Sequence, residues 1–337
     1  MQINCYAAFT PGGMLKPYTY ETKPLGDWEV LIKVTHCGIC HSDVHLINGD
    51  WGTDIYPLVP GHEAVGLVES VGRNVKHLKE GQRVGVGWQS GSCMKCEWCK
   101  SGEENLCSKN QATCVGHNGG FGEYLATDSR FAFPIPDGLA SENAAPLLCG
   151  GATVYSPLKR WGAGKGVKVG VIGIGGLGHL ALQFARAFGC EVTAFSSTPS
   201  KMQEATGFGA RKFVFTKDTK SMTQAAGTLD LLVSTINAPA DWDKYMKLLR
   251  PNGKLLMLGA VPEPVSVSAM SLIVGQKAVI GSCIGGRPAI SEMLAFAARH
   301  KVQAKTEVMP IVKVNEAVKK VKENKARYRM VLATSTS

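Results

Sequence analysis

The hydrophobic pattern divides the chain into two textures. Through residue 150 the apolar positions come in short runs, such as residues 30–34 around Lys33 and the β-rich run 64–71 that Gly72 ends. Pro57, Pro60, Gly61, Gly81, Gly85 and Gly87 punctuate the rest, so this stretch predicts an irregular, mostly β domain of short strands and turns. The pattern changes near residues 149–155. Residues 167–172 are continuously apolar, as in a strand buried on both faces. Leu177, Leu180, Ala181, Phe184, Ala185 and Phe188 follow at helical spacing. Further strands at 191–195, 212–215, 229–234 and 253–258 alternate with helices at 200–207 and 242–249. That alternation predicts an α/β fold with a doubly wound parallel sheet. At Gly285-Gly286 the pattern breaks, leaving two helices and a last strand, 329–333.

Length and composition sharpen this picture. A chain of 337 residues is long enough for two domains. With 45% hydrophobic and 19% charged residues it has a folded rather than a disordered composition. No apolar run of membrane-spanning length escapes charge or a glycine cluster, so no membrane span is expected. Residues 1–10 lack the basic and apolar segments of an export signal, and a cytoplasmic location is expected. The formal charge is +10, and residues 299–337 hold ten Lys/Arg against three acids. This tail reads as a solvated basic helix around residues 314–325. Interleaved aromatics and recognition motifs are both missing, so no nucleic-acid partner is expected.

The eleven cysteines are unevenly spread. Cys93, Cys96, Cys99 and Cys107 lie within fifteen positions and point to metal rather than disulfides. Four thiolates complete the tetrahedral shell of Zn²⁺ and leave no position for substrate, so this site would be structural. Lys95 and Lys100 lie in the same loop and offset its negative charge. A second set is dispersed: Cys40 in a polar context, His62 with Glu63 after the turn Pro60-Gly61, and Cys149 before Gly150-Gly151. Two cysteines and a histidine leave a fourth position open, the arrangement of a catalytic zinc.

Gly173, Gly175, Gly176, Leu177 and Gly178 form the turn between the buried strand and the periodic helix. Strand, glycine turn and helix in that order are the setting of a dinucleotide site, with the pyrophosphate resting on the helix start. The next strand, 191–195, has no carboxylate at its C-terminal end to accept from a ribose 2′-hydroxyl. Ser196, Ser197 and Lys201 follow instead, and these suit a 2′-phosphate, so NADP(H) is the expected cofactor.

With GICHSD at 38–43, GHE at 61–63, the four-cysteine loop, LLCGG at 147–151, GIGGLG at 173–178 and ARYR at 326–329, the chain resembles the zinc-dependent medium-chain dehydrogenase/reductase family of alcohol dehydrogenases over nearly its whole length. It is most similar to the cinnamyl-alcohol-dehydrogenase-like branch and its bacterial NADPH-dependent aldehyde reductases. The resemblance implies a GroES-like catalytic domain at 1–150, a Rossmann domain at 151–285 and a C-terminal return at 286–337. It implies two zinc ions per chain, the catalytic one held by Cys40, His62 and Cys149 with Glu63 able to approach it, and Asp43 holding the ligand histidine. It makes Ser42 the hydroxyl that exchanges a proton with the substrate oxygen, His45 the relay to solvent, and His41 and Arg329 groups near the pyrophosphate. Trp51 and Trp88 match positions lining the substrate cleft, which favours flat or apolar aldehydes and alcohols. A homodimer paired near residues 279–283 is also implied. The alternatives are a zinc-free quinone or enoyl reductase on the same fold, which the cysteine loop and the Cys/His set argue against, or a non-enzymatic relative, which only the basic tail supports.

Overall fold

The structure, a computed structural model, describes residues 1–52 and 55–334. The chain divides into two compact units, Met1–Ala152 with Ile284–Ser337, and Thr153–Cys283.

The first unit is built on a seven-stranded sheet among the described residues. Its strands run in the order Thr306–Pro310, Arg329–Ala333, Glu29–Ile39, Ala64–Val71, Arg83–Val86 and Ala132–Pro134, with Tyr124–Asp128 also pairing to Glu29–Ile39. All pairs are antiparallel except Thr306–Pro310 with Arg329–Ala333. The long strand Glu29–Ile39 buries Val30, Ile32, Val34, Cys37 and Ile39 in the core and delivers the chain to Cys40. Two register shifts against its neighbour bend it on the way.

The sequence reading of residues 1–150 as strands and turns missed a helix, His41–Asn48. Its start is set by Asp43, whose carboxylate accepts from the Cys40 N–H, and its end by Gly49 at φ 76°. Only Val44, Leu46 and Ile47 supply a buried apolar face, too few to register as helical periodicity. The strand Thr306–Pro310 was also missed. It buries no residue fully, ends in proline and lies at the sheet edge, where proline is tolerated.

The second unit holds the expected parallel sheet. Six strands run in the order Lys212–Phe215, Glu191–Ser196, Lys168–Ile172, Leu229–Ser234, Leu249–Met257 and Ala278–Gly281. By order in the chain this is 3-2-1-4-5-6, the doubly wound arrangement. Helices at Gly178–Ala187, Met202–Gly207 and Trp242–Met246 occupy crossovers, with two short helices, Thr219–Gln224 and Ala269–Ile273, that the pattern did not reveal. No helix among the described residues is long and apolar enough to cross a membrane.

Candidate active site and metal centres

Among the described residues, two separate donor clusters form in the first unit. Cys40 follows the long strand, His62 and Glu63 precede strand Ala64–Val71, and Cys149 follows the 3₁₀ turn Ala145–Leu148. One ligand atom from each of these four lies within 4.8 Å of the others. The backbone is shaped for this. Gly61 takes φ +102°, and a Cβ there would fall 2.5 Å from Phe121 Cδ1 and 2.8 Å from the Phe121 N. At Gly38 a Cβ would meet Glu63 Oε2 at 2.1 Å, so a larger residue would displace the carboxylate.

Asp43 organises the cluster from beneath. It is fully buried and accepts from Cys40 N (2.9 Å), Gly61 N (3.0 Å) and His62 Nδ1 (2.8 Å). A carboxylate on Nδ1 makes this nitrogen the donor and leaves Nε2 with its lone pair. That Nε2 is buried without a hydrogen-bond partner among the described residues, as is Glu63 Oε2. Buried polar atoms are seldom left so, and a zinc ion accounts for the vacant Nε2 beside two sulfurs. The other Glu63 oxygen accepts from Arg329 Nη2 at 2.5 Å, an ion pair buried on both sides. Arg329 Nη2 also donates to the Ile39 carbonyl.

Mutual contacts and burial shift the two thiols in opposite directions, Cys149 upward and Cys40 downward. The Cys40 thiol is held well below its ordinary pKa, chiefly by a hydrogen bond from Cys149, against the cost of burial and helped by His62 and Arg329. Burial lifts Glu63 to about 7, with Arg329 opposing. Cys114, which the sequence reading did not single out, is fully buried with its sulfur within 4.8 Å of Asp43 and His62 ligand atoms.

The second cluster joins Cys93, Cys96, Cys99 and Cys107 within the same limit. Tetrahedral zinc with Zn–S near 2.3 Å places its sulfurs about 3.8 Å apart. Cys96 and Cys99 are 3.5 Å apart, and Cys93 and Cys99 3.9 Å. Backbone N–H groups of Lys95 and Cys96 lower the Cys93 thiol to about 6, and Lys109 N donates to Cys107 Sγ. The loop is moored by Glu104, fully buried, which accepts from Arg287 N (3.0 Å) and Nε (2.7 Å) at the start of helix Arg287–His300. Sequence reasoning did not single out Glu104, whose partner is 183 positions away.

Around the first cluster lies a chain of rings. Trp88 stands edge-on to His62 at 4.9 Å and to Trp51 at 5.9 Å, and Trp51 stacks on His45 at 5.2 Å. His45 Nδ1 is 2.7 Å from Asp50 Oδ2, another partner that the sequence reading missed. Ser42 Oγ is 3.8 Å from Cys40 Sγ. His41 begins the same helix and is half-buried.

In the second unit, Gly173 has φ +86°, and a Cβ on Gly178 would lie 1.9 Å from the Gly173 carbonyl oxygen. At Gly175 a Cβ would meet nothing within 4 Å, so the turn is open there. Ser196 is buried and its hydroxyl accepts from Thr198 N at 3.1 Å, whereas Ser197 is exposed. Lys201 Nζ reaches back to the Ile174 carbonyl, which places its charge beside the glycine turn.

Comparison with known proteins identifies the family of the chain. Residues 26–137 match the alcohol dehydrogenase GroES-like domain, and residues 176–299 match the zinc-binding dehydrogenase domain. The chain is 43% identical to an aldehyde reductase, AdhA, of Synechocystis sp., over 99% of both chains. Its fold superposes on a cinnamyl alcohol dehydrogenase of Sorghum bicolor with TM-score 0.95 at 40% identity, covering 99% of this chain and 98% of the other. A cinnamyl alcohol dehydrogenase from Helicobacter pylori, solved with NADP(H), gives TM-score 0.92 at 35% identity, covering 100% and 99%.

Proposed function

The chain belongs to the zinc-binding alcohol dehydrogenases, a family of oxidoreductases, and from that membership we propose that it is an NADPH-linked aldehyde reductase, reversible as an alcohol dehydrogenase. The observation that carries the reading is the convergence of Cys40, His62 and Cys149, with a buried His62 Nε2 that has no other partner among the described residues. Residues 1–150 and the return 286–337 then form the catalytic domain, and residues 151–285 the dinucleotide-binding domain.

Cys40, His62 and Cys149 hold the catalytic zinc, and Cys93, Cys96, Cys99 and Cys107 hold a structural one. When bound, the catalytic zinc supplies Lewis-acid polarisation of a carbonyl oxygen, and the nicotinamide supplies hydride. Asp43 keeps His62 in the tautomer that presents Nε2. Glu63, held by Arg329, adds a carboxylate beside the ligands that can exchange toward them. Ser42 delivers the proton to the substrate oxygen on reduction. His45 restores it, fixed by the stack on Trp51 and the contact with Asp50, a carboxylate with 44% of its side chain exposed and so in touch with water. Trp51 and Trp88 offer an apolar wall for a flat or aliphatic aldehyde.

Gly173, Gly175, Gly176, Leu177 and Gly178 receive the pyrophosphate, with His41 and Arg329 as further groups toward the cofactor. Ser196, Ser197 and Lys201 favour the 2′-phosphate of NADP(H) over the free hydroxyl of NAD(H). We place the enzyme in the cytoplasm, as a homodimer. Cysteines gathered into metal-ligand sets rather than joined as disulfides among the described residues suit a reducing compartment. Exposed Met270, Ile273 and Val274 beside the edge strand Ala278–Gly281 suit a self-pairing surface.

The test is zinc analysis together with steady-state kinetics on a panel of aldehydes, run with NADPH and with NADH. Two zinc ions per chain and a clear preference for NADPH are expected. Cys40→Ser should retain about one zinc and almost no turnover. Near-normal activity in Cys40→Ser, or a wild-type chain without zinc, would overturn the assignment.

A further inference from the structure

In the second unit, four successive carbonyls at the strand-to-turn junction are held by side chains. Thr235 Oγ1 donates to the carbonyls of Ile172 (2.9 Å) and Gly173 (3.0 Å). Lys201 Nζ donates to the Ile174 carbonyl. His179 Nδ1 lies 3.1 Å from the Gly175 carbonyl oxygen, which also accepts the His179 backbone N–H. A carbonyl only accepts, so Nδ1 carries the proton in this contact. His179 is fully buried, with Phe208 edge-on to its ring at 5.4 Å, so packing restrains its rotamer.

The peptide between Gly175 and Gly176 has the most need of such a hold. Both torsions that rotate its plane belong to glycines, which lack the Cβ that would bias them. The bond is trans, so its C=O and N–H point in opposite directions. With the Gly175 carbonyl fixed toward His179, the Gly176 N–H faces away from the helix start. Were the plane reversed, a carbonyl would take its place. Outward N–H groups at a helix start attract phosphate, and an outward carbonyl repels it.

We propose that His179 is a positioning residue that locks the Gly175–Gly176 peptide with its N–H presented to the dinucleotide's diphosphate. The proposal rests on the dinucleotide-binding reading and adds to it the residue that orders the turn before the cofactor arrives. Its reach is limited to the diphosphate, so it should affect NADPH and NADH alike and leave recognition of the 2′-phosphate untouched.

The experiment compares two polar replacements in the full-length, zinc-loaded protein. His179→Asn keeps an amide N–H near the position of Nδ1, and His179→Gln moves it outward to the position of Nε2. Dissociation constants are measured for NADPH, NADH and adenosine 2′-monophosphate, which has no diphosphate, with thermal midpoints taken without cofactor. The Gln variant should bind both dinucleotides about 3- to 10-fold more weakly, the range of one hydrogen bond. Its affinity for adenosine 2′-monophosphate should stay unchanged, and the Asn variant should remain within about twofold of the unmodified protein for every ligand. Unchanged NADPH affinity in the Gln variant overturns the proposal alone. So does an Asn variant as weak as Gln, or a parallel loss for adenosine 2′-monophosphate. An unmodified protein that binds neither dinucleotide overturns the underlying reading as well.

Discussion

Replacing Asp43 by asparagine tests the centre of the catalytic cluster. The carboxylate accepts three hydrogen bonds, from Cys40 N on one oxygen and from Gly61 N and His62 Nδ1 on the other. Asparagine has one acceptor oxygen and a donor NH₂. Its best orientation faces the oxygen to Gly61 and His62 and turns the NH₂ against the Cys40 N–H. One charge-assisted bond of about 1.5–3 kcal/mol is then lost, and two others fall to neutral strength at about 1 kcal/mol each. The total is about 3–5 kcal/mol in a site where Asp43 and His62 are both fully buried. Mutating the hydrogen-bond partner of a liganding histidine lowers metal affinity by about 10–100-fold, or roughly 1.4–2.8 kcal/mol of that sum. The remainder, about 2 kcal/mol, should lower the thermal midpoint by roughly 4–8 °C for a unit of this size. The assay is zinc content after dialysis against a chelator that the unmodified protein withstands. Asp43→Asn should fall from two zinc ions to one, because the four-cysteine loop does not use Asp43. Retention of both ions with unchanged chelator resistance would refute the reasoning, and loss of both would mean that the unit had unfolded.

Glu104→Gln should destabilise without touching catalysis. Breaking a buried ion pair costs about 3–5 kcal/mol, reduced here to roughly 2–3 because the Arg287 side chain still reaches water. A midpoint about 4–12 °C lower with unchanged kcat/KM is expected, and an unchanged midpoint would show that the mooring contributes nothing. Ser42→Ala should slow turnover by about 10²-fold, the lower range for positioned proton transfer; an unaltered rate and pH profile would remove Ser42 from the proton path. Ser197→Asp should repel a 2′-phosphate and accept from a free 2′-hydroxyl. The ratio of kcat/KM for NADPH over NADH should drop by at least about tenfold, and a constant ratio would locate the discrimination elsewhere.

How far these features can be read from the chain depends on how local they are. The four-cysteine loop and the glycine turn stand out because donors or glycines recur within a few residues between recognisable elements. The dispersed set of Cys40, His62 and Cys149 is readable only through the short motifs around each member. What the pattern hides is the partner that holds each group in place. Glu104 finds Arg287 and Glu63 finds Arg329 across 183 and 266 positions, and neither pairing leaves a periodicity. Helix His41–Asn48 is obscured for a related reason: His41, Ser42, Asp43 and His45 fill the places where an apolar stripe would reveal it. His179 is hidden in the opposite way, inside an otherwise regular apolar stretch, Gly178–Ala187, where a buried histidine reads as an interruption. Its meaning emerges only when its ring is seen on the Gly175 carbonyl. In these cases the residue that carries chemistry is visible in the sequence, whereas the pairing that orients it becomes visible only once the backbone has brought the two together. Those orienting pairs are therefore where substitutions should separate metal retention, cofactor affinity and turnover from one another.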